Sequence, residues 1–161
     1  MSINENQKLQ NSASIKNKLY QRCLTIAEEK ITSLKEILQE TQDAANNETK
    51  SSAGDKHETG RAMAQLETEK LTTQLTEALK LKQAVSQINS TTSTNQITIG
   101  SIVYTNNGNF YIAASIGKIE VEDESFFAIS PASPIGKLLL TKKEKESFSF
   151  NGNQYFIEQI L

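Results

Sequence analysis

The sequence predicts an α+β chain: an N-terminal antiparallel two-helix coiled coil followed by a small antiparallel-sheet domain with one helix. Three observations predict it. Residues 13 to 47 contain no Gly or Pro and space their apolar side chains helically. A second helical run follows after a short polar turn. Beyond about residue 97 the apolar period falls to two, which is the spacing of strands.

In the first run, Tyr20, Leu24, Ala27, Ile31, Leu34, Leu38, Thr41 and Ala45 follow at alternating steps of four and three. This is a heptad seam, narrow enough to call for a partner helix. Leu19, Cys23, Ile26 and Ile37 widen the stripe, mostly toward its start. The second run covers about 56 to 89, with Met63, Leu66, Leu71, Leu75, Ala78, Val85 and Ile88 on its apolar side. Between them Asn46-Asn-Glu-Thr-Lys-Ser-Ser-Ala-Gly54 is rich in turn and cap residues. So short a connection makes the helices antiparallel neighbours. A helix of that length spans on the order of 50 Å, which predicts a projecting hairpin with its tip near residues 48 to 58.

Residues 91 to 96 are polar and aperiodic, a linker between a unit at 1–90 and one at 97–161. Strands are expected at Ile102–Tyr104, Phe110–Ile112, Ile119–Val121, Phe126–Ile129, Phe148–Phe150 and Tyr155–Ile157. Asn106-Asn-Gly108 and Asn151-Gly-Asn153 supply hairpin turns, because Asn and Gly tolerate positive φ. Ser133 as N-cap and Pro134 at the first helical position open a short helix whose apolar face is Ile135 to Leu140.

Charge is close to balanced, at −2 overall. Residues 1–95 carry 12 basic and 12 acidic side chains, and residues 96–161 carry 5 and 7. Neither part has the basic excess of an autonomous nucleic-acid binder, so a nucleic-acid role would pass through a protein partner. The single cysteine, Cys23, excludes an intramolecular disulfide and argues against a cysteine metal site. The polar N-terminus shows no signal region and no stretch reaches the length of a membrane span, so a cytoplasmic protein is expected. Asn47-Glu-Thr49 and Asn89-Ser-Thr91 fit the glycosylation pattern, which has no meaning without secretion.

Two motifs add a resemblance. Ala53-Gly-Asp-Lys-His-Glu58 at the hairpin turn is similar to the tip pattern Gly-Asp-x-x-Glu-Asn of the bacterial Gre family of transcript-cleavage factors. Ile129-Ser-Pro-Ala-Ser-Pro-Ile-Gly-Lys-Leu-Leu-Leu140, followed by Lys142-Lys143, resembles the same family's Ile-Ser-x-x-Ser-Pro segment and the Gly-Lys run after it. The order of elements agrees from about residue 13 to the end. The resemblance implies an FKBP-like C-terminal domain and, as partner, bacterial RNA polymerase. The coiled coil would enter the polymerase's secondary channel, and nascent RNA would be met only at its active centre. It further implies that Asp55 and Glu58 help hold a second Mg²⁺ there, so that backtracked RNA is hydrolysed. On this reading the chain is an accessory factor, not itself an enzyme, and a monomer.

The same residues have plainer readings. Asp55-x-x-Glu58 fits a capping box of the second helix. The tip also departs from the family pattern: Thr59-Gly60-Arg61 follows Glu58, and Lys56 and His57 separate the two acids. Basic neighbours weaken attraction for Mg²⁺, which favours a non-catalytic regulator in the same channel as the alternative. A third reading is a structural or dimerising coiled coil. His57, the sole histidine, reads as a solvated tip residue. Ser133 to Lys137 is not a phosphate loop, because the Walker spacing would need Gly where Pro131 stands. Lys142, Lys143 and Lys145 read as a solvated turn.

Overall fold

A computed structural model describes residues 2–48, 56–90 and 95–161 of the protein. Its elements are α1 (Ser2–Glu48), α2 (Lys56–Ser86), β1 (Ile102–Thr105), β2 (Gly108–Ile112), β3 (Gly117–Val121), β4 (Glu124–Ile129), α3 (Pro134–Leu139), β5 (Ser147–Phe150) and β6 (Asn153–Ile160). The α+β class and the element order are those the sequence predicts. Helix α1 begins earlier than its apolar seam does, because nothing in the polar residues 2–12 breaks a helix. The expected linker at 91–96 falls largely outside the described residues. Among those described, no helix is long and apolar enough to cross a membrane.

The chain divides into two compact units, one of Met1–Thr25 with Gln83–Leu161 and one of Ile26–Lys82. The second unit is an antiparallel pair of helices. Ile31, Leu34, Leu71 and Ala78 are buried together, with Leu38 and Leu75 packed against them. Glu28 meets Lys82 at 3.0 Å, which fixes the antiparallel sense. From Ala27 onward the buried and half-buried positions of α1 are Ala27, Ile31, Leu34, Leu38, Thr41 and Ala45, the predicted seam, and Ile26 beside it is half-buried. Ile37 stays outside it, exposed, so it does not widen the stripe.

Helix α2 corrects part of the sequence reading. Met63 and Leu66 are 67% and 66% exposed and do not belong to the apolar side. Run back from Ala78, Leu75 and Leu71, the seam passes through Thr68, Ala64 and Gly60, all half-buried. One residue turns a helix by about 100°, so Met63 and Leu66 point elsewhere. Toward the turn the helices therefore meet through small and polar side chains, and the large ones crowd near Leu71. Leu71→Ala should cost about 2–4 kcal/mol. Hydrogen exchange would show the loss in amides of residues 26–82, with the strand amides keeping their protection.

The six-stranded sheet of the first unit has the order β3-β4-β2-β1-β6-β5. It departs from the expected all-antiparallel sheet in one place, where β2 and β4 run parallel with Phe110 beside Phe127. The chain from β2 reaches β4 by way of β3, which then hairpins back onto it. Alternation gives each strand two faces. Val103, Phe110, Ile112, Phe148 and Ile157 form one core with Ile97 and Leu139 of α3. Ile102, Tyr111, Phe126 and Ala128 alternate with them and are also buried. On that side Tyr111 lies beside Cys23 and Tyr20 of α1. Lys18 of α1 pairs with Glu122 of the β3–β4 turn.

The turns follow residue chemistry. Asn151 and Gly152 take φ of 49° and 80° between the paired Phe150 and Asn153, as a two-residue hairpin loop prefers. At Asn106-Asn107 only the following Gly108 has positive φ, 110°. Thr105 closes that turn, its Oγ1 accepting from Asn107 N–H at 3.2 Å. Glu122 and Asp123 form a second positive-φ pair, which no Asn or Gly announces.

Candidate functional site

The first motif that the sequence singles out runs from the α1–α2 connection into the start of α2. Asp55 lies outside the described residues, as do Ala53 and Gly54. Glu58 is the third residue of α2, which opens at Lys56, and it is exposed. That is the position a capping-box glutamate occupies relative to a cap at 55. A carboxylate there also lies in the first turn of the helix, beside its free backbone N–H groups. Of the His57 and Lys56 side chains nothing is described.

Arg61 is exposed one turn further along α2. It lines an open depression with Gln42, Ala45 and Asn46 of α1 and Ala64, Gln65 and Thr68 of α2. The depression exists because alanines occupy the seam where Leu or Ile would fill it. Gln65 is tied by its Nε2–H to Glu69 Oε1 at 2.9 Å. The turn-proximal end of the helix pair thus carries an exposed acid, an exposed base and a polar rim.

Could this end hold a metal? Glu58 offers a hard oxygen donor, the type that Mg²⁺ takes. Among the described residues no group of three or more His, Cys, Asp or Glu side chains could hold an ion. With Asp55 outside the described residues, Glu58 offers at most one carboxylate, and the rest of a Mg²⁺ shell would have to come from elsewhere. Cys23 is no rival ligand. It is fully buried, and burial, only partly opposed by Arg22, pushes its thiol up to about 12.

The second motif is well formed. Ser133 caps α3, its Oγ accepting from Gly136 N–H at 3.1 Å and donating to Ser130 O at 2.6 Å. Pro134 opens the helix. Gly136 and Leu139 are its buried residues, whereas Leu140 is 38% exposed and falls outside the apolar face expected of it. The lysine turn is more structured than a solvated run: Lys145 donates from Nζ to Glu158 O at 2.6 Å, and Lys143 N–H to Glu146 Oε2 at 2.8 Å.

Two features escaped the sequence reading. Lys16 is 4% exposed on α1, and the buried hydroxyl of Tyr111 has no hydrogen-bond partner among the described residues. Nothing in a lysine within a polar stretch, or in a tyrosine in a strand, announces either.

No protein-family model matches the chain, and no curated protein matches it. A solved structure of the transcription factor Gfh1 is similar over 86% of this chain and 93% of that chain, with 18% sequence identity and a TM-score of 0.36.

Proposed function

We propose that this protein is a Gre-like transcription elongation factor. It binds bacterial RNA polymerase through the secondary channel, in the cytoplasm, and stimulates cleavage of backtracked RNA. The observation that carries the reading is the position of Gly54-Asp55-x-x-Glu58. It falls between the end of α1 and the first turn of α2 in an antiparallel pair, with Glu58 exposed. The Ser133-Pro134-x-Gly136-Lys137 motif supports it from the other end of the chain, as a capped helix on a strand-rich unit.

The chain acts as an accessory, and the catalytic centre belongs to the polymerase. Asp55 and Glu58 stand three residues apart in sequence, with Glu58 exposed in the first turn of α2. A shared Mg²⁺ would supply an activated water and stabilise the leaving oxygen of the phosphodiester. Cap and ligand roles are compatible, because a carboxylate has more lone pairs than one N–H uses.

A second reading has its own observation. Arg61 stands exposed one turn from Glu58, and Lys56 and His57 flank the acids in sequence. Such a tip suits a non-catalytic regulator that occupies the same channel. The deciding experiment adds the protein to stalled elongation complexes and follows the transcript's 3′ end. Shortening that depends on the protein supports the cleavage factor. Binding with uncut RNA moves the assignment to the regulator. A dimer in sedimentation without polymerase affinity removes both in favour of a structural coiled coil.

A further inference from the structure

The contact between the start of α1 and the sheet, all within the first unit, buries two polar groups among its apolar residues. Tyr111 is fully buried on the α1-facing side of β2, and its hydroxyl finds no hydrogen-bond partner among the described residues. An unsatisfied buried hydroxyl disfavours the packed state relative to one in which water reaches it. Lys16 is 4% exposed at the same contact, and burying an ammonium sacrifices hydration even when it is paired. Beside Lys16 lies a solvent-open groove of about 410 Å³, lined also by Lys8, Leu9, Gln159 and Ile160, through which water reaches the edge of this contact. Against these stand the buried Leu19 and Cys23 and the Lys18–Glu122 ion pair. That pair is about half exposed on both partners and so holds weakly.

We propose that the start of α1, about residues 12–25, is a releasable seat. It lifts from the sheet in a local opening that leaves the strands paired and is populated well above global unfolding. The strands have the means to stay behind. Their other face keeps its own core with α3, built on Val103, Phe110, Ile112 and Leu139. Opening exposes Cys23 and the face of the sheet around Tyr111, a conformational change available to the unit without loss of its fold.

Cys23 is the chain's one cysteine, so it reports the opening without ambiguity. Under native conditions a thiol reagent should label it at a rate nearly independent of low denaturant. Tyr111→Phe, which removes the orphan hydroxyl, should slow labelling about tenfold. Amides of residues 16–25 should exchange ahead of those in β1 and β2. If Tyr111→Phe does not fold, the order of amide exchange in the wild-type chain decides. Labelling that follows the denaturant dependence of global unfolding overturns the proposal. So does a folded variant no slower than wild type, or protection in α1 equal to that of the strands.

Discussion

Replacing Asp55 and Glu58 together by alanine is expected to abolish stimulated transcript cleavage, by about 10²-fold or more, while polymerase binding stays near the wild-type level. The two carboxylates are proposed to act as a unit, so either single variant should lose about as much as the pair. Capping complicates the result, because an alanine at an N-cap costs about 1 kcal/mol of helix stability. Asp55→Ser separates the two roles. Serine caps as well as aspartate does but brings no charge. That variant should keep the helicity of α2, read by circular dichroism, and still lose cleavage. If it retains full activity, the aspartate is a cap alone and Glu58 acts without it. If the double variant affects transcription as wild type does, the non-catalytic regulator is the right reading.

Gly136→Ala is expected to cost about 3 kcal/mol, a large loss for a substitution that raises helix propensity. Glycine inside a helix ordinarily costs about 1 kcal/mol relative to alanine. At this position the preference reverses for a steric reason. An added Cβ would lie 2.1 Å from Ser130 O, 2.9 Å from Ser133 Oγ and 3.0 Å from Pro131 Cα. Two of these are backbone atoms, and the hydroxyl is already committed to the cap, so none can swing away. Relief would require α3 to withdraw from the Ser130–Ser133 turn, taking Leu139 with it. Urea denaturation followed by tyrosine fluorescence measures the effect. Wild-type stability would mean that the turn yields where the structure packs it tightly.

These cases show where the sequence was readable. The α1 seam was legible residue by residue, because a heptad of Leu, Ile and Ala over 20 residues has one solution. The same logic failed on α2 near the turn, where the largest apolar residues, Met63 and Leu66, were taken for the seam. Toward the turn the half-buried positions of α1 are Thr41 and Ala45, which ask little of the opposite helix, so size is a poor guide. Strand positions came through the period of two. The parallel β2–β4 pairing did not, since it is set by a crossover rather than by any local pattern. The Glu122-Asp123 turn was hidden because positive φ there falls on residues other than Asn or Gly. At the candidate site, the motif gave Glu58 its place in the first turn of α2. The buried Lys16 and Tyr111 hydroxyl depend on which side of α1 meets the sheet, and that is decided by tertiary packing.

The central claim is that residues 53–58 reach the active centre of another machine. A chelated iron tethered at Thr59→Cys, in a Cys23→Ala background that keeps both acids, tests it most directly. In stalled polymerase complexes the iron should cut the polymerase beside its catalytic carboxylates and the RNA near its 3′ end. Cuts confined to the polymerase's outer surface, with the protein bound, would contradict the account.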